Sequence, residues 1–301
     1  MKLYNLSRTH QLALGAVMAA INVVFAIFSS YLFAFSLLIM LFLPLASIIV
    51  AINIDIKYYL VYFLGTMLLA LVLNLANVEN TLFFLLPILT SGLAFGFLIR
   101  VQASDILILL GVSAVNLLTL LITIPIINVI YNINFLTVFA TFVGFNDVSF
   151  GNLILPSILT LLAFMQTLIT LIIITMDAKY FRIEIKSTPL KYVGFINIFF
   201  AVLVIIFMFF FENVALALLF IVVFLSVYEL LLLFNNSKTV LLISLTLAIA
   251  LTFIGVAIFE NNTPLPFYFG IIIGVIPIVI GHNIWLYINN RKKEEKDGRI
   301  I

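Results

Sequence analysis

The chain has no cysteine, one tryptophan, two histidines and only 9% charged residues in a length of 301. Without cysteine there is no disulfide, no thiolate metal site and no cysteine nucleophile. Charge this sparse lies far below the roughly 25% of soluble domains, so an ordinary water-facing surface is excluded. No basic surface interleaved with aromatics marks a nucleic-acid partner. No Gly-rich phosphate loop is present, so ATP is not bound by that route and any energy input comes from a partner or an ion gradient. No His/Glu pair stands at metalloprotease spacing, and no paired carboxylates stand near a membrane surface for acid–base work. The chain is therefore read as no enzyme, with no cofactor and no metal.

What is abundant is apolar: 65% of the residues are hydrophobic, with 31 Phe. A hydrocarbon core of about 30 Å takes roughly 20 apolar residues in helix. Ten stretches meet or approach that length, at residues 11–28, 32–52, 58–75, 81–99, 106–130, 153–176, 192–211, 214–234, 239–259 and 266–287. Lipid offers no partner to an open strand edge, whereas a helix closes its own hydrogen bonds. The predicted fold is all-α, a polytopic bundle of about ten transmembrane helices.

The basic residues orient it. Lys2 and Arg8 precede the first stretch, Lys57 follows the second, Arg100 the fourth, and Lys238 the eighth. Lys179, Arg182, Lys186 and Lys191 separate the sixth and seventh, and Arg291, Lys292, Lys293, Lys296 and Arg299 form the tail. Connections on the other side carry no Lys or Arg, only Glu79, Asp147, Glu212 and Glu260. The positive-inside rule puts both termini in the cytoplasm. The first stretch has a basic flank like a signal peptide but no small-x-small cleavage site, and is read as a retained helix. The tail is a stop-transfer flank that can also touch anionic lipid headgroups.

Two connections are long. The outer one, 131–152, holds five Phe together with Gly144, Asp147 and Gly151; it reads as an interfacial aromatic belt or as a lid over a pocket. The inner one, 177–191, carries four basic residues and Pro189. It divides a six-helix part, residues 1–180, from a four-helix part, 181–301.

Polar residues within the apolar stretches are the candidate site. Asn22, Asn74, Asn116, Asn128, Gln166, Thr167 and Thr170 line a pocket or bond across helices as ordinary membrane glue of about 0.6 kcal/mol each. Asn74, Asn116, Gln166, Thr167 and Thr170 are the substrate-binding candidates, led by Gln166 and Thr170, which share a helix face. Pro87, Pro125 and Pro277 free backbone carbonyls, and Pro87 with Thr90, Ser91 and Gly92 is the most pocket-like. Glu229, about 8 Å from the cytoplasmic end of its helix at 1.5 Å per residue, and His282 at similar depth are either an intramembrane charge pair or two separate interfacial residues. The first helix carries Ala16 and Ala20, an Ala-x-x-x-Ala groove that lets another helix approach closely, within this chain or from a partner.

An alanine-rich first helix with this motif, followed by FSLLIMLFLPLASIIVAI, resembles the substrate-binding S components of energy-coupling-factor vitamin transporters. The stretches LLPILTSGLAFGFLIR and LPSILTLLAFMQTLITLIIITMDAKYFRIEI resemble the YybS-like family of uncharacterised bacterial membrane proteins. The likeness runs over residues 8–200 by motif order. It implies a bundle with a small-molecule cavity open to the outside, and a first helix that docks a transmembrane coupling subunit with ATPases through Ala16 and Ala20.

Three functional readings follow: a small-molecule binding or transport subunit, a self-contained ten-helix secondary transporter, and a membrane scaffold recruiting partners through the 177–191 loop. A largely apolar cavity with amides and hydroxyls suits a neutral, vitamin-like or lipid-like molecule. The richness in Ile, Asn, Lys and Phe points to an AT-rich bacterial genome, hence the bacterial cytoplasmic membrane.

Overall fold

A computed structural model describes residues 7–31, 44–132, 134, 148–176 and 185–234. Among these the chain is α-helical, with no strand and a single isolated bridge between Ser104 and Lys186. The helices are α1 (Arg8–Tyr31), α2 (Pro44–Asn53), α3 (Ile56–Leu73), α4 (Val78–Arg100), α5 (Asp105–Tyr131), α6 (Val148–Met176), α7 (Leu190–Met208) and α8 (Glu212–Phe234). A 3-10 turn, Leu75–Asn77, joins α3 to α4. Among the described residues six spans are long and apolar enough to cross a membrane: Arg8–Tyr31, Ile56–Leu73, Leu75–Arg100, Asp105–Tyr131, Leu155–Thr175 and Lys191–Met208. The predicted stretches 239–259 and 266–287, with Pro277 and His282, lie outside the described residues, as do residues 32–43 of the second stretch. Most of the outer loop also lies outside them, but its last residues, 148–152, form the first turn of α6.

The chain divides into two compact units, Met1–Ser187 and Thr188–Ile301. In the first, α4 is the axis: it packs on α1, α2, α3 and α5, and α5 in turn packs on α6. One apolar core joins α1 through α4 around Val23, Ala26, Tyr59, Leu85 and Leu89. A second joins α4, α5 and α6 around Phe84, Ile88, Leu120, Ile124 and Leu159. In the second unit α7 packs on α8.

The polarity of these helices is reversed relative to a water-soluble bundle. On α3, Leu60, Leu64, Leu68 and Val72 are each more than half exposed, one turn apart, while Tyr59, Tyr62 and Thr66 are buried. On α1, Val17, Ile21, Val24, Phe25 and Phe28 face outward, and Gln11, Asn22 and Ser29 inward. An apolar stripe running the length of a helix stays exposed only where the surroundings are themselves apolar. This is the surface of a multi-pass membrane protein.

With lipid outside, burying apolar area gives helices little reason to associate, and close backbone approach has to supply the attraction. That approach occurs between α2 and α4. Gly92 and Gly96, four apart on α4, face Ser47 and Ala51, four apart on α2. A Cβ built on Gly92 collides with the Ser47 Cβ, and one built on Gly96 collides with the Ala51 Cβ and comes within 3.0 Å of the Ala51 carbonyl carbon.

The ends of this pair are tied by polar groups. The Arg100 guanidinium, at the last residue of α4, donates to the backbone carbonyls of Ala51 and Ile54 at the end of α2. Those carbonyls are the negative end of the α2 dipole and lack intrahelical partners, so a cation there is stabilising. Gln11 of α1 does the converse, accepting the Asp55 backbone N–H at 3.0 Å where α3 begins.

Candidate functional site

Three groups of buried polar side chains lie in the first unit, and they differ in what each is bonded to. The first is a knot of three helices. Asn22 of α1 donates through Nδ2 to the Ser47 hydroxyl of α2 at 2.9 Å and to the Tyr62 hydroxyl of α3 at 2.6 Å. Ser47 and Tyr62 are themselves 3.0 Å apart. Tyr59 adds a tie to the axis, donating to the Leu89 carbonyl of α4 at 2.6 Å. Apart from the Asn22 Oδ1, which accepts no hydrogen bond, these groups bond one another and the α4 backbone.

The second group closes a turn. Asn74 caps the end of α3 and donates through Nδ2 to Ser30 and to Thr81, both at 2.8 Å. It thereby joins α1, α3 and the first turn of α4. Its amide holds three helix ends together.

The third group surrounds open space. A narrow cleft with room for about one water, about 10 Å³, is lined by Pro44 and Ile48 of α2, Ser91 and Phe95 of α4, Val112 of α5, and Gln166, Thr167 and Thr170 of α6. Here the hydroxyls turn back onto their own helices. Thr167 donates to the Ala163 carbonyl at 2.8 Å, Thr170 to Gln166 at 2.7 Å, and Ser91 to Ile88 at 3.1 Å. A hydroxyl that has given its hydrogen to its own backbone crosses no helix boundary, but its oxygen keeps a lone pair to accept with. Gln166 differs: its Oε1 accepts from Asn116 Nδ2, joining α5 to α6. Asn116 lies 11 residues into α5 and Gln166 10 residues from the end of α6. At 1.5 Å per residue both are about 15 Å from a helix end, the middle of a bilayer.

Local sequence explains why the cleft exists. Pro87 lacks the N–H that would bond the Phe83 carbonyl, so α4 is loosened one turn before Ser91. Thr90 rebinds this turn, donating to the Leu86 and Pro87 carbonyls and pairing at 3.0 Å with Thr119 of α5. Opposite, the run from Gln166 to Leu171 on α6 sets three polar side chains, all buried, within six residues. Apolar walls with a few convergent polar groups are the ordinary composition of a small-molecule site. No ionisable side chain is among the eight lining residues. At about 10 Å³ the cleft is far below the roughly 300–1,000 Å³ usual for such sites, so any ligand larger than a water needs the helices to part.

Of the residues singled out in the sequence, Gln166, Thr167 and Thr170 are brought together at the cleft, with Asn116 bonded behind them. Asn74 is placed elsewhere, in the turn knot. Ala16 and Ala20 are exposed on the outer face of α1, turned away from the buried Gly15, Asn22 and Val23. Glu229 is buried in α8 of the second unit, and His282 is outside the described residues. Ser47 and Tyr62 were not singled out, nor was the Gly92/Gly96 face as a packing surface. The Gly-x-x-x-Gly and Ser-x-x-x-Ala spacings at 92–96 and 47–51 are the signal that would have revealed the latter. No family model, no curated protein and no solved structure matches this chain.

Proposed function

We propose that this protein is a small-molecule binding or transport subunit of a bacterial cytoplasmic membrane, and that the ligand enters the cleft between α2, α4, α5 and α6. The observation that carries this reading is the convergence of Gln166, Thr167, Thr170 and Ser91 on one apolar-walled space at the depth of the membrane. A buried polar group in lipid is costly and marks a cavity or pathway more often than chance. The absence of charge among the lining residues fits a neutral ligand, and the acceptor oxygens of the three hydroxyls fit one that carries N–H or O–H donors.

The reading includes ten spans with both termini inside, supported by the alternation of the basic residues along the chain. It retains the relation to energy-coupling-factor S components and YybS-like proteins, with a coupling subunit and its ATPases as the energy source. Exposure of Ala16 and Ala20 on the outer face of α1 supports their use toward such a partner, because small residues let a second backbone come close. The protein carries out no chemistry in this reading.

Native mass spectrometry of the tagged protein, gently purified from its host, tests both parts. A stoichiometric small molecule that is lost in Gln166→Ala, or a co-purifying transmembrane subunit with ATPases, is expected. An empty protein alone in every preparation would sink the proposal.

A further inference from the structure

The cleft has a size and a lining that suit an occupant smaller than any ligand considered above. Its volume of about 10 Å³ is that of one water site. Of the hydroxyls that line it, Ser91 is nine residues from the end of α4, and Thr167 and Thr170 are nine and six from the end of α6. At 1.5 Å per residue these are about 9–14 Å deep, close to the middle of a hydrocarbon core of about 30 Å. All three residues are buried, at most 3% exposed.

The hydrogen-bond accounting at the cleft is one-sided. Ser91 gives its hydrogen to the Ile88 carbonyl, Thr167 to the Ala163 carbonyl and Thr170 to the Gln166 carbonyl. Each hydroxyl oxygen keeps lone pairs to accept with and has no hydrogen left to offer, so none of the three bonds another across the gap. The α5 wall adds unmet capacity. Ser113, next to the lining residue Val112, and Asn116, four residues past it, are both 0% exposed, and the Ser113 hydroxyl and the Asn116 Oδ1 have no partner in the protein. A cavity lined only by hydrocarbon stays dry, whereas one of this size with convergent polar groups takes up water. A cation fits poorly, because no carboxylate lines the cleft to balance its charge inside lipid.

We propose that the cleft is a water-binding site, in which one water donates to Ser91 on α4 and to Thr167 or Thr170 on α6 and so bridges two helices whose hydroxyls cannot bond each other. The two hydrogens of water match one acceptor on each side, and two to four polar partners are what holds a buried water. This goes beyond the ligand reading and does not depend on it. The bridge ties α6 to α4 as the Asn116–Gln166 bond ties it to α5. Any molecule that enters the cleft has to displace the water, and recovers the lost bonds only by bringing an O–H or N–H of its own.

The test is X-ray hydroxyl-radical footprinting of the full-length protein in detergent, after exchange until native mass spectrometry finds no retained small molecule. Radiolysis of a bound water oxidises the side chain beside it, even where radicals from bulk solvent do not reach. Phe95 lines the cleft and is 0% exposed, whereas Phe84, in the second apolar core, is 8% exposed. Solvent radicals alone would therefore favour Phe84. Oxidation of Phe95, located by peptide mass spectrometry, is expected to run severalfold faster than that of Phe84. In the double variant Thr167→Val with Thr170→Val, which keeps the side-chain shapes and removes two acceptors, the Phe95 rate is expected to fall severalfold while the Phe84 rate stays. Phe95 oxidised no faster than Phe84 overturns the proposal on the unmodified protein alone, so the test does not hang on the variant folding. A Phe95 rate that the double variant leaves unchanged overturns it equally, because water would then enter without the hydroxyls.

Discussion

The Asn22 knot and the Gln166 cleft are built from the same kinds of side chain in the same unit, yet one is solid and the other hollow. In the knot, Asn22, Ser47 and Tyr62 bond one another across three helices at 2.6–3.0 Å. In the cleft, Thr167, Thr170 and Ser91 bond only to carbonyls of their own helices, and a gap of about 10 Å³ stays open between them. Polar groups that satisfy each other pull helices together. Polar groups satisfied by their own backbone leave the gap between helices to be filled by something else. Burial alone does not separate a structural polar residue from a binding one; the destination of its hydrogen bonds does.

Substitutions can break this contrast in graded steps. The largest effect is expected from Gly96→Val, which forces α2 away from α4 and so disturbs both regions, since α2 contributes Ser47 to the knot and Ile48 to the cleft. Overpacking of this kind costs about 3 kcal/mol; a fall of several degrees in thermal midpoint in detergent, together with loss of ligand, would show it. Next comes Asn22→Ala, which leaves Ser47 and Tyr62 bonded only to each other and costs about 1–2 kcal/mol. The thermal midpoint should drop while the ligand retained in native mass spectrometry stays. Gln166→Ala should do the reverse. Its signature is ligand affinity at least tenfold weaker, about 1.4 kcal/mol, with a smaller thermal change than Asn22→Ala.

Tyr62→Phe removes one member of the knot and keeps its ring, so about 0.6 kcal/mol, the usual value of one interhelical hydrogen bond in a membrane, is expected from the thermal midpoint. Ala16→Leu is the mildest. It lies on the exposed face of α1 and should alter stability by under about 0.5 kcal/mol, while preventing capture of a coupling subunit in a pull-down. If Asn22→Ala empties the protein of ligand and Gln166→Ala does not, the assignment of the two regions is reversed.

Helix positions were legible in the sequence because hydropathy over some 20 residues is a strong signal; the described ends of α3, α4 and α5 fall within a few residues of the apolar stretches. The grouping of Gln166, Thr167 and Thr170 was legible too, since spacing along one helix determines a shared face. Asn74 was not distinguishable from them by type, but it sits where α3 stops, and what it binds depends on which helix ends meet there. Ser47 and Tyr62 were illegible for a related reason. A hydroxyl in an apolar helix is unremarkable until its partner on another helix is known, and Asn22 lies 25 and 40 residues away in sequence. The tight α2–α4 contact was written plainly as two small-residue spacings, 47–51 and 92–96, but neither spacing names its partner.

The tie from Arg100 to the end of α2 sets an order of events during synthesis. The carbonyls of Ala51 and Ile54 wait for a guanidinium 49 and 46 residues later in the chain. At a translation rate of roughly 5–20 residues per second, that is an interval of about 2–10 seconds. Through most of it α2 has neither the guanidinium at its end nor its glycine-faced neighbour. The α2–α4 contact therefore forms late, only once α4 has followed α2 out of the ribosome, and until then water has to serve the carbonyls that Arg100 later holds.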